Sequence, residues 1–356
     1  VDLMRGQIEN LGLSNVKMKS EIQPYAIHHN VARGDWVARD CESCHTQDSR
    51  LTKAFLLADI PLAAALPVLV ADANLSSGGK VLAKDGKLYY QENIQQAGFY
   101  IIGRDKIAAV QIIGAASVLL VLIGILVHGG LRVLAARRRK AEHGATKTVY
   151  MYSFYQRLWH WLQAITIIGL IFTGLIIHAP NIFGLFSFGA AVYIHNALAL
   201  VLLINATLAV FYHFASGQIR HYMIEPKGFF SQAMDQAAFY LKGIFKNEKH
   251  PFEKNLDKKL NPLQKVTYIA ILNVLLPLQI ITGILIWGAQ HIPEFMGKLG
   301  GLGLLVPFHS LIAWLFAAFL IMHMYLTTTG HTPTSAVKAM VVGWEEIEAT
   351  EENINE

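Results

Sequence analysis

Two cysteines and fifteen histidines stand in this chain of 356 residues, and their spacing decides what chemistry is open to it. Both cysteines fall in Cys41-Glu42-Ser43-Cys44-His45. Two thiols two residues apart, with a histidine next in line, can add to the vinyl groups of a haem while the imidazole takes one axial position on iron; this is the c-type attachment pattern. With no third cysteine, one covalent haem is the limit. A zinc half-site would want further Cys or His at ligand spacing. A thioredoxin-like redox pair would want a βαβ pattern around the motif, and none surrounds it. The opposite axial ligand should be His or Met. His28 and His29, just upstream in PYAIHHNVARGDWVARDCESCH, are the candidates. Whichever is not used is a surface residue or a ligand to a partner's haem. Gly34, Asp35 and Asp40 read as turn residues.

The second feature is Phe308 to His331, FHSLIAWLFAAFLIMHMYLTTTGH, an apolar run that carries His309 and His323. It is long enough to cross a bilayer. An ionisable residue inside a span is costly and is by default a functional candidate. Fourteen positions at about 100° each return to within about 40° of the start, and at about 1.5 Å each they climb about 21 Å. One helix face therefore offers an imidazole near each surface of the membrane, a geometry that suits two stacked haems. The plainer alternative is two polar histidines facing neighbouring helices.

The chain as a whole is built to hold such residues in a membrane. It is 53% hydrophobic and 15% charged, with a mean hydropathy of +0.37, values that fit a polytopic membrane protein with a modest soluble part. The net charge of +5 does not point to nucleic acid, because the basic residues sit mostly beside apolar spans. The chain begins at Val1 without a signal sequence, so it is expected to be processed or part of a longer polypeptide.

Five spans are expected. The first, Ile107 to Leu131, is followed by Arg132, Arg137, Arg138, Arg139 and Lys140. That basic block should be cytoplasmic, which places the N-terminal segment outside. Residues 1–105 then form an extracytoplasmic c-type haem domain, 106–132 the first helix, 133–154 a basic cytoplasmic linker, 155–331 a four-helix domain and 332–356 a cytoplasmic tail. Within the first domain, residues 54–70 are apolar, but Asp59, Pro61 and Pro67 argue against a span; they read as domain core. Residues 71–105 read as short strands and turns. His128 closes the first span as an interfacial histidine, or faces a cofactor or quinone.

Span two, Tyr155 to His178, puts His160 near the cytoplasmic surface between Trp159 and Trp161, with Arg157 placed for a haem propionate. Span three, Val192 to Phe214, opens with His195 on the outer side and closes with His213 on the inner side. Residues 216–264 are the most charged stretch. Residues 229–245 suit an amphipathic helix on the membrane, and Lys242, Lys246, Lys249, Lys254, Lys258 and Lys259 suit a solvated or lipid-facing surface. Span four, Val266 to Ala289, has no histidine and should kink at Pro277. Its Thr282-Gly283 echoes Thr173-Gly174, each glycine allowing a macrocycle or helix to come close.

Depth pairs the histidines. His195 and His309 lie near the outer surface, and His160 and His323 near the inner one. Two bis-histidine haems follow. His213 is the rival for the inner site; otherwise it is a proton carrier or, with Tyr212, a quinone contact. Two axial imidazoles leave no iron position open to oxygen or substrate, which suits one-electron transfer.

Residues 150–345 resemble the prokaryotic diheme cytochrome b family, the membrane subunits of respiratory formate dehydrogenases, nickel–iron hydrogenases and thiosulfate reductases. The likeness rests on Arg157-Leu158-Trp159-His160-Trp161 with Thr173-Gly174, on His195, on His309 and His323 fourteen apart, and on the ending HMYLTTTGHTP…KAMVVGWEE. It implies a four-helix bundle with two b haems that exchanges electrons with a quinone beside the cytoplasmic haem, the one bracketed by His160 and His323. A fifth span and a c-type haem segment depart from the family. That combination resembles the membrane end of multihaem c/b fusion cytochromes of anaerobic respiratory chains.

The expected fold is therefore all-α transmembrane: a four-helix diheme cytochrome b bundle, one preceding transmembrane helix and a small extracytoplasmic haem c domain. The expected function is an electron-transfer subunit of an oxidoreductase in the inner (cytoplasmic) membrane of a bacterium or archaeon. It would link an extracytoplasmic redox subunit or multihaem cytochrome to membrane quinone through one haem c and two haem b, with no nucleic-acid partner. Two other readings stand beside it: a structural anchor for a redox complex, and a transmembrane b561-type reductase acting on metal or ascorbate.

Overall fold

The structure, a computed structural model, describes residues 2–14, 21–22, 40–59, 68–69, 79–94, 99–137, 146–246, 248, 250–252, 254–256, 258–289, 291–330 and 332–348. His28, His29, Gly34, Asp35, Arg138, Arg139, Lys140, Lys249 and His331 lie outside the described residues. In chain order the elements are α1 (Asp2–Glu9), β1 (Glu21–Ile22), α2 (Glu42–His45), β2 (Phe55–Asp59), β3 (Val68–Leu69), β4 (Lys80–Lys84), β5 (Lys87–Gln91), α3 (Ala108–Arg137), β6 (Thr146–Tyr150), α4 (Phe154–His178), α5 (Pro180–Phe183), α6 (Phe188–Ala215), α7 (Phe229–Ala238), α8 (Ile244–Lys246), α9 (Pro262–Ala270), α10 (Leu276–Gly288), α11 (Pro293–Lys298), α12 (Gly301–Thr327), α13 (Ser335–Val342) and β7 (Trp344–Glu348). A π-helical turn, Phe239–Gly243, joins α7 to α8, and a second, Ile271–Leu275, joins α9 to α10.

Among the described residues five helices are long and apolar enough to cross a membrane: α3, α4, α6, the continuous run Pro262–Gly288, and α12. Helices suit that environment because each satisfies its own backbone polar groups. Exposed Leu120, Ile165, Phe211 and Leu126 give their outer faces an apolar surface.

The chain divides into two compact units, Val1–Asp105 with Leu175–Val192, and Lys106–Gly174 with Tyr193–Glu356. In the first, β2, β5 and β4 form an antiparallel sheet. Asp85 (φ 52°) and Gly86 (φ 71°) make the turn between β4 and β5, both central residues at positive φ as a two-residue hairpin demands. The expectation that residues 54–70 are domain core is corrected for residues 54–59; residues 60–67 and 70 lie outside the described residues. Phe55, Leu56 and Leu57 lie in an edge strand and are exposed; an apolar run alone does not say which of its faces finds a partner.

In the second unit α4, α6, the α9–α10 run and α12 surround one core of Leu202, Ile271, Leu276, Ile312 and Phe316. Ile312 and Phe316 lie between His309 and His323 on α12, so apolar packing separates the two histidine levels. α4 and α9 begin with the same device. Gln156 N donates to Ser153 Oγ (3.3 Å) while Ser153 N donates to Gln156 Oε1 (3.1 Å); Asn261 and Gln264 repeat that capping box. From cap to Thr-Gly is twenty residues in the first run and twenty-one in the second. The π-turn at Ile271–Leu275 accommodates one extra residue. It also contains Asn273, whose carbonyl the ring of Pro277 would meet in a regular helix.

α12 begins at Gly301, seven residues before the expected start, and Pro307 lies inside it. Gly-Leu-Gly and a proline are poor helix formers, but a transmembrane helix tolerates proline where neighbours satisfy the freed carbonyl. α3 lies along α12: a Cβ on Gly114 would come within 2.4 Å of the Trp314 indole. Arg132 donates to Thr328 Oγ1 at 3.1 Å and to Thr328 O at 2.8 Å. The segments expected to be a basic linker and a tail pair with each other in part, since β6 and β7 run antiparallel with Tyr150 opposite Trp344. In α7 and the turn after it, Phe230, Met234 and Leu241 are exposed and Gln236 is buried. That leaves an apolar stripe facing outward.

Candidate functional site

In the first unit, Cys41 and Cys44 are free thiols, the first exposed and the second half-buried. The Asp40 carboxylate accepts from Ser43 N at 2.7 Å, and Cys44 N and His45 N both reach Cys41 O, at 3.2 and 3.0 Å. The motif is thus one helical turn with both sulfurs and the imidazole on a short arc. The His45 ring stacks on Phe188 (4.4 Å, 13°), and its Nδ1 lies 2.9 Å from Ile102 O. That carbonyl can only accept, so Nδ1 carries the proton and Nε2 keeps its lone pair for a metal. A tight turn presents Ile102: Ile101 N donates to Asp105 Oδ2 (2.8 Å), Arg104 to Asp105 Oδ1 (2.5 Å) and Tyr100 OH to Asp105 O (2.7 Å). At Gly103 (φ 87°) a Cβ would fall 2.6 Å from His45 O, so only glycine suits that position.

In the second unit the four candidate histidines form two facing pairs. His195 on α6 faces His309 on α12 with ring centroids 6.4 Å apart. His160 on α4 faces His323 on α12, also at 6.4 Å. Metal–imidazole bonds are about 2.0 Å. Adding the ring radius, two imidazoles on opposite sides of one metal ion place their centroids about 6.2 Å apart. Each pair is spaced for one ion. Among the described residues there is no group of three His, Cys, Asp or Glu arranged to hold a bare ion. Two imidazoles alone leave a coordination sphere incomplete, and a planar macrocycle supplies the rest. The residues present fit a b haem at each pair.

The two pairs differ in their surroundings. His195 Nδ1 lies 2.8 Å from Thr173 Oγ1 and His309 Nδ1 lies 2.9 Å from Thr282 Oγ1. Gly174 and Gly283 face the Cε1 edges of the same rings, where a Cβ would stand at 3.6 and 3.4 Å. Gln279 Nε2 is 3.0 Å from His309 Nε2, and Gln279 Oε1 is buried without a partner. At the other pair, His160 Nδ1 is buried without a partner and His323 stacks on Phe319 (5.5 Å, 27°).

The remaining candidates are placed as follows. Arg157 Nη1 donates to Val341 O and Trp161 Nε1 to Met340 O at 2.8 Å, so both hold the end of α13. His213 is buried, donates Nδ1–H to Ala209 O at 2.6 Å and packs on Trp159, Tyr212 and Tyr222; it is His323 that faces His160. Tyr212 lines an open groove of about 400 Å³ with Tyr155, Leu208, Phe211, Ala215 and Ser216. His128 is tied at both nitrogens, to Tyr325 OH (2.5 Å) and to Tyr240 O (2.8 Å). The lysine run is corrected in part. Lys254 pairs with the buried Glu345 at 2.7 Å, and Lys259 Nζ donates to Met151 O at 2.7 Å. Burial, then the neighbouring Arg220, lowers the Lys259 pKa, and burial, then Glu345, raises that of Tyr152. Of the residues around the histidine pairs, Thr173, Thr282 and Gln279 have polar roles that the sequence reading missed. Their signal was the Thr-Gly repeat, read there for its glycines alone.

Residues 151–343 match the family model described as prokaryotic cytochrome b561. A protein of Escherichia coli (strain K12) described as "Putative cytochrome YdhU" is 33% identical over 217 residues, which cover 61% of this chain and 81% of that protein. No solved structure matches the chain.

Proposed function

This chain belongs to the prokaryotic cytochrome b561 family, and from that premise we propose that it carries electrons across the membrane between an extracytoplasmic redox partner and the quinone pool. His195 with His309 and His160 with His323 would each hold one b haem; Cys41, Cys44 and His45 would hold a covalent c haem, with His28 or His29 opposite. Held by paired imidazoles, such haems would supply one-electron transfer. The observation that carries the reading is the equal spacing of the two pairs, 6.4 Å in each case.

Orientation follows from charge. Arg132 and Arg137, and the basic residues after them, put the His160–His323 level on the cytoplasmic side. The groove beside Tyr212 is apolar and opens at the same end of α4 and α6, which suits a quinone ring, and the buried His213 next to Tyr212 suits proton exchange with it. The partner is an extracytoplasmic redox subunit or a multihaem cytochrome in an anaerobic respiratory complex.

A pyridine haemochrome spectrum with haem staining of a denaturing gel tests this. One covalent c haem and two extractable b haems per chain, all titrating within the range of quinones, is the expected result. Two b haems that do not titrate there would favour a structural anchor. Two b haems without covalent haem would favour a transmembrane reductase of the b561 type.

A further inference from the structure

The two histidine pairs have the same spacing but not the same hydrogen bonds. Thr173 and Thr282 are both buried, each one position before a glycine and each on the helix beside its histidine's helix. Thr173 Oγ1 lies 2.8 Å from Gly169 O and 3.3 Å from Leu170 O. Thr282 Oγ1 lies 2.8 Å from Leu278 O and 3.1 Å from Gln279 O. A hydroxyl has one proton, and in both cases it is committed to these carbonyls. Toward the imidazole the oxygen can therefore only accept, as can the backbone carbonyls of Leu170 beside His195 and Gln279 beside His309, so His195 and His309 each donate from Nδ1. The Gln279 amide agrees on the tautomer: it donates to His309 Nε2, which must then carry a lone pair, and Gln279 has to turn away when that lone pair is given to iron. Both outer rings are fixed in the tautomer that presents Nε2. His160 has no such support, since its Nδ1 is buried without a partner.

We propose that Thr173 and Thr282 are positioning residues that hold the reduction potential at the His195–His309 pair below that at the His160–His323 pair, so that electrons run downhill from the first pair to the second. This rests on the reading above that each pair holds a b haem. The physical link is ligand basicity. An imidazole whose Nδ1–H is donated to an oxygen is a stronger σ-donor at Nε2. A stronger donor favours ferric over ferrous iron and lowers the potential. Two donating rings on one iron add their effects. The interior of the bundle is apolar, so the bonds are not diluted by water.

The test is potentiometric titration of the b haems in the full-length protein, with Thr173→Val, Thr282→Val and the double variant. Valine keeps the shape and removes the hydroxyl acceptor, leaving the backbone carbonyl of Leu170 or Gln279 as the ring's remaining partner. The expected result is an upward shift of the lower of two b potentials, by about tenfold in ferric preference per threonine, which is about 59 mV for a one-electron couple. The upper potential stays in place. Thr173→Ser and Thr282→Ser keep the hydroxyl and should restore the wild-type value, which separates the effect from damage to folding. His160→Ala should abolish the wave that the valine variants leave alone. Two bound haems with unmoved potentials, or movement of the wave that His160→Ala abolishes, would overturn the proposal while leaving the haem sites intact. Wild-type protein with fewer than two b haems would overturn the underlying reading and this proposal together.

Discussion

His128 on α3 lies 2.5 Å from the hydroxyl of Tyr325 on α12, two residues past His323. Its other nitrogen donates to Tyr240 O, so the hydroxyl proton belongs to the tyrosine and the imidazole accepts it. One histidine thus ties the first span to the helix that carries two candidate ligands and to the π-turn beneath them. α3 lies outside the family match at 151–343.

Tyr325→Phe leaves His128 without its donor and is expected to cost about 1 kcal/mol. Gly114→Leu, which forces a side chain into the Trp314 indole, is expected to cost about 1–3 kcal/mol by overpacking. Both should lower the thermal midpoint of the detergent-solubilised protein and leave its b haem content unchanged. Loss of haem in either variant would mean that α3 shapes the haem sites.

On the proposed pairing, with one b haem at each pair, removing any of His160, His195, His309 or His323 should lower the b haem content from two to one per chain, measured by pyridine haemochrome. His213→Ala should retain both, because His213 packs on Trp159, Tyr212 and Tyr222 and it is His323 that faces His160. A His213→Ala protein with one b haem would make His213 a ligand.

What the sequence made legible was long-range order in single residue types. Fourteen residues between His309 and His323 can be counted without coordinates, because an α-helix repeats its geometry, and depth alone joined the rings that face each other in the structure. What stayed hidden depended on which neighbour a short segment finds. The strand at Trp344–Glu348 is Trp-Glu-Glu-Ile-Glu, whose two apolar residues are three apart and show no strand alternation, so nothing in it distinguishes it from an acidic tail. The exposed edge strand at Phe55–Asp59 is as apolar as a core strand. Thr173 and Thr282 stand out in the sequence only for the glycines that follow them; that their hydroxyl oxygens, bonded to their own helix, also accept from histidines on another helix is a fact of packing.

On the proposal that Cys41, Cys44 and His45 hold a covalent haem, Gly103→Ala should disturb its attachment more than the small change of volume suggests. It puts a Cβ 2.6 Å from His45 O at a residue with φ of 87°, a conformation that costs alanine about 1–2 kcal/mol before any clash. Haem staining of a denaturing gel should fall for Gly103→Ala and vanish for Cys41→Ser with Cys44→Ser. Full staining of Gly103→Ala would mean that the turn carrying Ile102 is not needed to hold His45.

That same turn should give the first unit an alkaline limit. Tyr100 donates its hydroxyl to Asp105 O; burial first, then the negative Asp105 carboxylate, raises its pKa from 10.0 to about 12. In the unfolded chain the phenol ionises near pH 10, while in the folded turn it keeps its proton until about pH 12. Between those values the folded state binds more protons than the unfolded one, so stability falls as pH rises. The contribution is fully present below pH 10 and is lost as the pH rises to the folded value. Tyr100→Phe removes the ionising group and should flatten this slope, at the cost of one hydrogen bond at neutral pH. The measurement is unfolding of the first unit followed by circular dichroism from pH 9 to pH 12, with phenolate absorbance read in parallel. A slope that persists unchanged in Tyr100→Phe would assign the alkaline limit to another group.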